Sequence, residues 1–152
     1  ASGLTRGVLV LLCEAYQEEW VPTQGTDALP RPAEPDGKIP EGFEARTVMK
    51  FSPRMAPVKT AVFPLLKNKP DLVAKAQTIF QELRPHRYTM YDQVGAIGRR
   101  YRRQDEIGTP YCVTVDFETL EENTVTVRNR DTMNQERVLV DDLNNWLADA
   151  LA

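Results

Sequence analysis

The chain has 152 residues, enough for one core of ordinary domain size, and its 19 basic and 22 acidic residues give a formal charge of −3. Proteins that coat nucleic acid without sequence preference carry an excess of Lys and Arg, so this class is excluded and any nucleic-acid contact must be local. Cys13 and Cys112 form no CxxC pattern, so neither a disulfide framework nor a zinc site is expected. Both are predicted to be small buried residues in a reducing compartment.

An apolar run near the start of the chain turns polar at Glu14, which predicts a helix over residues 7–20 that is buried at its start. The run is shorter than the roughly 20 apolar residues that cross a bilayer, so we expect a soluble, cytoplasmic protein. Neither Met nor a charged leader opens the chain. We therefore expect this start to be a cut within a longer protein, not a signal peptide.

A change of composition divides the chain. Residues 21–42 are rich in proline and glycine and cannot bury enough apolar area to offset their ordering entropy, which predicts a linker or a mobile insertion. A short strand predicted over residues 46–51 marks the start of a compact domain. The expected divisions are residues 1–21, 22–46 and 47–152.

The compact domain alternates strands and helices. Strands are predicted at residues 58–63, 87–91, 111–117, 124–128 and 135–140, and helices at residues 70–84, 97–108 and 141–151. Strand–helix–strand units with right-handed crossovers give parallel strands, and the last two strands add an antiparallel hairpin at one edge. The predicted fold class is α/β, a five-stranded mixed sheet of three parallel strands plus an antiparallel hairpin, with three main helices.

The helix predicted at residues 97–108 holds four arginines in five positions, in an otherwise acidic chain. At 100° per residue, Ile97 and Tyr101 share a face that points to the core. The outward face carries Arg99, Arg102 and Arg103. This face is either a solvated surface with ion pairs along the helix or a surface that tracks phosphates, and the sequence alone leaves both open.

Other chemistry-bearing residues give weaker signals. Arg128 and Arg130 share a strand face, where they either present their guanidinium groups to an open surface or pair with acids such as Glu118. His86 is the single histidine, and no serine or cysteine has a recognisable partner, so no catalytic and no metal-binding residue is predicted. Residues 116–122 resemble an acidic turn more than a paired-carboxylate site.

Residues 97–110, with the strands that follow through residue 133, resemble the C-terminal anticodon-binding domain of glycyl-tRNA synthetase. The Gly-Leu-Thr-Arg run at residues 3–6, before an apolar helix, is similar to the third signature motif of class II synthetases, whose arginine contacts ATP. The resemblance implies a class IIa anticodon-binding fold and places the N-terminal helix at the end of a catalytic domain. It also implies that Arg6 belongs to an ATP site.

The resemblance implies tRNA anticodon recognition within an enzyme that attaches glycine to its tRNA using ATP. The first two class II motifs and the family's acidic glycine-binding residues are missing from this chain, so the fragment alone is expected to be inactive and to need no cofactor. The full-length enzyme is expected to use ATP with magnesium and to form a cytoplasmic homodimer. Its expected partner is the tRNA for glycine, with neither DNA nor a membrane.

In an open sheet, ligands favour the carboxyl ends of parallel strands near the switch in strand order, here residues 63–65 and 116–118. Related class II synthetases use a carboxylate after the third strand and an arginine on the fourth, which implies Glu118 and Arg128 for base readout. The other expected contacts are Arg130 at the anticodon, Phe63 or Phe117 as a stacking surface, and Arg99, Arg102 and Arg103 on phosphates.

Two alternatives stay open. The chain is either part of such an enzyme or a non-enzymatic accessory or interaction protein that reuses the fold, and the motif at residues 3–6 favours the enzyme. A related class II synthetase, for proline or threonine, is a further alternative. The segment at residues 104–110 favours glycine.

Overall fold

The computed structural model describes residues 2–23 and 28–152. In chain order its elements are α1 (Ser2–Ala15), β1 (Tyr16–Pro22), β2 (Arg31–Pro32), β3 (Phe43–Met49), β4 (Thr60–Pro64), α2 (Pro70–Leu83), β5 (Thr89–Tyr91), α3 (Ile97–Ile107), β6 (Tyr111–Val115), α4 (Phe117–Glu122), β7 (Thr124–Asn129), β8 (Gln135–Leu139) and α5 (Val140–Ala150). The strands form two sheets, one with the order β2-β1-β3 and one with the order β5-β4-β6-β7-β8.

The larger sheet confirms the predicted fold class. Strand β4 pairs in parallel with both β5 and β6, whereas β6 pairs antiparallel with β7 and β7 pairs antiparallel with β8. The sheet therefore has three parallel strands and an antiparallel hairpin at one edge. The connection through α2 leads from β4 to β5 on one side, whereas the connection through α3 leads from β5 back past β4 to β6 on the other side. The strand order therefore switches between β4 and β6, and their carboxyl ends border the switch point.

Alternating side chains of the central strands build a core on each side of this sheet. Val62 and Val113 point to one side, where Leu72 of α2 and Leu147 of α5 are fully buried. Ala61, Phe63 and Cys112 point to the other side, where Ile97 and Tyr101 of α3 pack against them. Helices thus cover both faces, and the residues of α3 predicted to face the core do so.

The smaller sheet corrects two predictions. The helix predicted over residues 7–20 ends at Ala15, and β1 follows and pairs along its whole length with β3. Part of the proline-rich segment also lies in this sheet, because β2 pairs with β1 and the guanidinium of Arg31 stacks over Trp20 at 5.4 Å. Residues 24–27 of the predicted linker lie outside the described residues. The partner of β1 is more than 20 residues away, so local periodicity does not reveal the pairing.

Helix α1 exposes its apolar side chains within the described chain. The exposed residues are Leu4, Val8, Leu9, Val10, Leu11 and Leu12. Cys13 lies on this helix and is exposed, so the prediction that it is buried was wrong, whereas Cys112 is buried as predicted. None of the helices in the described ranges combines the length and the hydropathy needed to span a bilayer.

Residues 117–122, predicted to belong to a turn, form the short helix α4. Asp116 caps it: its carboxylate accepts a hydrogen bond from the Thr119 backbone N–H at 3.1 Å, and the Thr119 hydroxyl accepts one from the Asp116 N–H at 3.0 Å. This reciprocal pair satisfies donors that a helix N-terminus otherwise leaves free. Asn123 ends the helix in the left-handed conformation, with φ at 55°.

Candidate nucleic-acid interface

A groove of about 730 Å³ lies at the carboxyl ends of β4 and β6. Leu65 follows β4, Asp116 follows β6, and residues 96–99, at the start of α3, complete this side of the groove. The groove therefore lies at the switch in strand order, the place from which the sequence predicts ligand binding.

The opposite wall of the groove combines both sheets. Thr126 and Arg128 of β7 and Gln135 of β8 line it from the larger sheet. Pro22 at the end of β1 and Glu44 of β3 line it from the smaller sheet. The smaller sheet is therefore part of the site and not only a connection that leads to it.

The amino end of α3 gives the groove a positive pole. Ala96 occupies the N-cap with extended backbone and no side-chain hydrogen bond to the first turn, and the Arg99 N–H donates to the Ala96 carbonyl at 3.1 Å. The N–H groups of Ile97 and Gly98, ahead of it, point from the positive end of the helix, where an anion is favoured. Arg99 lies in this turn and is exposed. Among the described residues, its side chain has no ion pair or hydrogen bond. Of the predicted phosphate contacts, Arg99 is the one whose guanidinium is unoccupied.

The other arginines of α3 are engaged by protein groups. Arg102 is ion-paired with Glu44 and lies 3.3 Å from Asp105. Arg103 donates hydrogen bonds to Asp92 at 2.7 and 2.9 Å, and its side chain keeps 40% of its surface exposed. Arg102 and Arg103 are thus ion-paired mainly with residues outside the helix, and the contact of Arg99 with a phosphate stays a prediction.

Arg100, which is not among the arginines predicted on the outward face, is the buried arginine of this helix. It is 1% exposed and donates hydrogen bonds to the backbone oxygens of Pro64 and Gly95, the latter at 2.9 Å. It thereby joins the end of β4 to the loop that begins α3. Arg100 therefore fixes the start of α3 against the end of β4 on this side of the groove.

Arg128 and Arg130 are buried, which contradicts the expectation of an open arginine surface. Each is 3% exposed. Arg128 donates two hydrogen bonds to Asp105, at 2.9 and 3.2 Å, and Arg130 donates to the backbone oxygens of Gly108 at 2.8 Å and Phe51 at 2.7 Å. Only Arg128 lines the groove. The alternative of cross-strand pairing with Glu118 is also wrong, because the partner of Arg128 lies on α3.

Tyr101 lies beneath the guanidinium of Arg128. The Arg128 Cζ atom is 4.7 Å from the centre of the Tyr101 ring, a favourable cation–π distance. The Tyr101 hydroxyl is hydrogen-bonded to the Thr114 hydroxyl at 2.5 Å, and Thr114 lines the groove. Burial raises the pKa of Tyr101, so this phenol stays neutral at physiological pH.

Of the two predicted stacking residues, only Phe117 is available. Phe63 has no exposed surface and packs edge-on against Tyr101, with the ring centres 5.4 Å apart, because β4 is the central strand and is covered on both faces. The expectation that Phe63 stacks on a base is therefore wrong. Phe117 begins α4 beside the groove residue Asp116 and is 48% exposed.

The carboxylates after β6 have a partner that sequence reasoning missed. Arg137 of β8 donates hydrogen bonds to both oxygens of Asp116, at 2.8 and 2.9 Å, and lies 3.1 Å from Glu118. The Arg137 hydrogen bonds hold the pKa of Asp116 below its usual range, assisted by the Thr119 N–H and opposed by partial burial. Arg137 stands opposite Thr126 in the hairpin, so its position becomes visible only once the register is known.

Arg6 is separate from this groove. It is exposed on α1 and does not line the groove. No group of three or more His, Cys, Asp or Glu residues within residues 2–23 and 28–152 is arranged to hold a metal ion.

Comparison with known proteins identifies the larger sheet and its helices. A sequence profile described as "Anticodon binding domain" matches residues 59–150, the region from β4 to α5. The chain belongs to the anticodon-binding domain family. The matched region includes the groove residues of α3, β6, β7 and β8 but not Glu44, which lies in the smaller sheet.

Proteins named glycine–tRNA ligase are similar to the chain over nearly its whole length. The protein of Streptomyces coelicolor is 49% identical over 151 residues, which are 99% of this chain and 29% of that protein. The protein of Corynebacterium efficiens is 50% identical over 151 residues, which are 99% of this chain and 29% of that protein. The protein of Thermobifida fusca is 47% identical over 152 residues, which are 100% of this chain and 29% of that protein. The chain thus spans less than a third of these relatives, and the similarity includes α1 and the smaller sheet.

Proposed function

We propose that this chain is the anticodon-reading part of a glycine–tRNA ligase and that the groove binds the anticodon loop of the tRNA for glycine. The observation that carries the proposal is the groove itself, at the strand-order switch of an anticodon-binding sheet. It combines the free guanidinium of Arg99 with a helix amino end, two features that favour phosphate.

The polar groups near the groove match the base that such an anticodon must present. Glycine codons begin with two guanines, so the anticodon carries two cytosines, each with an N4 amino donor and two acceptors on its pairing edge. The exposed carboxylate of Glu118 can accept from N4. Arg128 uses two of its five N–H donors on Asp105 and retains others for cytosine acceptors. Phe117 provides a face on which a splayed base can stack.

For the whole protein, we infer ATP-dependent attachment of glycine to tRNA by a cytoplasmic homodimer. Within this chain, Arg6 would belong to the ATP site, and its exposed guanidinium has the charge and geometry to bind a phosphate. The described residues offer no carboxylate cluster for magnesium, so the ligands of that ion would come from the rest of the protein. This chain by itself is not expected to activate glycine.

A binding experiment with two anticodon stem-loop RNAs tests the proposal. One RNA carries the two cytosines and the other carries uracils in their place. The loss of well-formed base contacts costs about 1–3 kcal/mol each, so we expect the cytosine loop to bind at least about fivefold more tightly. Equal binding of the two loops contradicts anticodon reading, and no binding of either favours an interaction protein that reuses the fold.

Two variants on α4 localise the reading. Glu118→Ala is expected to reduce the preference for cytosine, because it removes the carboxylate that accepts from N4. Glu121→Ala is the matched control, because Glu121 is also exposed on α4 and its removal changes the charge equally. If both variants alter the preference to the same extent, Glu118 does not read a base.

A further inference from the structure

A chain of buried ion pairs runs from the smaller sheet to Arg128. Arg46 of β3 donates hydrogen bonds to Glu19 of β1 at 2.7 and 3.0 Å and lies 3.2 Å from Asp105 of α3. Asp105 in turn binds both terminal nitrogens of Arg128. Lys50 is also ion-paired with Glu19, at the outer end. The contacts thus connect three separate elements to one groove residue.

The inner members of this chain are shielded from water. The side chains of Arg46 and Asp105 are 0% and 1% exposed, and those of Arg128 and Glu19 are 3% and 4% exposed. Replacing such buried ion pairs by apolar residues is often neutral or stabilising, so stability alone is a weak reason for this arrangement. A fully satisfied buried network also holds its polar groups in one arrangement.

The geometry fixes the guanidinium of Arg128 in position and in plane. Asp105 holds both terminal nitrogens from one edge, which sets the plane, and the ring of Tyr101 at 4.7 Å supports the face. Asp105 cannot follow a rotation of Arg128, because the Arg46 guanidinium holds one of its oxygens from the side of the smaller sheet.

We propose that Arg46 and Asp105 are positioning residues for base readout by Arg128, and that the smaller sheet serves as the support of the anticodon-reading groove. This inference rests on the proposed function and extends it to Arg46, which lies outside the region that matches the anticodon-binding family. Arg46 acts through Asp105 and does not line the groove.

The test is the double variant Glu19→Gln with Arg46→Met, made in the full chain. It removes the Arg46–Glu19 ion pair together with both of its charges. Lys50 loses Glu19 but is 31% exposed, so water can solvate its charge, and Asp105 keeps both Arg128 and Arg102. We expect the preference for the cytosine loop over the uracil loop to fall at least about fivefold. The salt dependence of binding should stay unchanged, because the phosphate contacts are elsewhere. Arg87→Met is the control, because Arg87 is a partly buried arginine that binds Asn144 of α5, away from the groove.

Two outcomes with a folded variant overturn the proposal. One is an unchanged preference, and the other is an equal loss of affinity for both loops, which indicates a structural role alone. If the double variant does not fold, the single variant Arg46→Met is the decisive substitute, because Glu19 keeps Lys50 and Asp105 keeps Arg128 and Arg102. An unchanged preference in a folded Arg46→Met variant likewise overturns the proposal.

A readout without RNA separates this proposal from the proposed function. In the parent chain, rotation of the Arg128 guanidinium should be slow, so that its side-chain N–H groups give separate NMR resonances. In the variant, rotation should be faster and these resonances should merge. If neither loop is preferred by the parent chain, anticodon reading fails, and the resonances still report whether Arg46 immobilises Arg128. If they are identical in the parent chain and the variant, the positioning role is refuted independently of any RNA.

Discussion

Replacing Arg99 should weaken RNA binding in a way that depends on salt. Arg99 is exposed in the first turn of α3, lines the groove and has no ion-pair partner among the described residues, so its full charge is available to a phosphate. Each phosphate contact with single-stranded RNA contributes about 0.7 to the slope of log affinity against log salt. Arg99→Gln should therefore lower the magnitude of the slope by about 0.7.

This slope translates into a measurable change of affinity. Between about 50 and 200 mM salt, one such contact accounts for a factor of about 2.6, so the affinity advantage of the parent chain over Arg99→Gln should shrink by that factor as salt rises. Fluorescence anisotropy with a labelled anticodon stem-loop measures both quantities. The preference between cytosine and uracil loops should not change, because a phosphate contact carries no sequence information.

Arg84→Gln is the matched control for this prediction. Arg84 follows α2 and is also exposed, but it does not line the groove and lies before the amino end of β5, whereas the groove lies at the carboxyl ends of β4 and β6. Its loss changes the net charge by the same amount and should leave the slope within error of the parent chain. The same change of slope in both variants would refute the phosphate contact of Arg99, because the effect would then come from net charge and not from the groove.

Three further predictions concern stability and reactivity. Gly108→Ala should destabilise the chain by roughly 1–3 kcal/mol in urea unfolding, because the φ of Gly108 is +89° and an added Cβ would lie 2.8 Å from a backbone oxygen of β3. Gly98→Ala is the control and should be neutral or stabilising, because a Cβ added there would have no atom within 4 Å. The free energy of unfolding lost in Asp116→Asn should be constant between about pH 7 and 5 and should shrink below about pH 4. The pKa of Asp116 is lowered by folding, so the ionised carboxylate stabilises the fold above its unfolded pKa of about 3.9, and this contribution is lost as pH falls through the folded pKa. A destabilisation that grows in acid would contradict this sign. A thiol reagent should label the exposed Cys13 of the native chain rapidly. It should label Cys112 only on unfolding, because burial raises the pKa of that thiol to about 12. Rapid labelling of a Cys13→Ser variant would refute this.

The sequence predicted the larger sheet well because its signals are local. The apolar periodicity of residues 70–83 lies between two prolines, and strands β4 and β6 are apolar runs that end at proline or an acidic helix cap. The hairpin of β7 and β8 followed from alternation and a short polar connection. These features specify their elements without knowledge of distant contacts.

The smaller sheet and the arginine partners depend on distant contacts. β1 pairs with a strand more than 20 residues away across a proline-rich segment, so its tertiary partner decides its conformation, and a helix prediction was wrong there. Arg128 was correctly placed on the fourth strand of the larger sheet, but its partner Asp105 lies on a helix, and no strand or helix periodicity relates the two residues. Phe63 was predicted as a possible stacking surface from its place at the carboxyl end of a strand, but its side chain packs into the core between β4 and α3.

The most direct test of the account is to map where the anticodon loop binds. Backbone amide resonances of the full chain are followed while the cytosine stem-loop is added. We predict that the largest changes cluster at residues 96–99 and 116–118 and at Arg128, around the carboxyl ends of β4 and β6. Changes confined to the opposite edge of the sheet, or to the outer surfaces of α2 and α5, would contradict it.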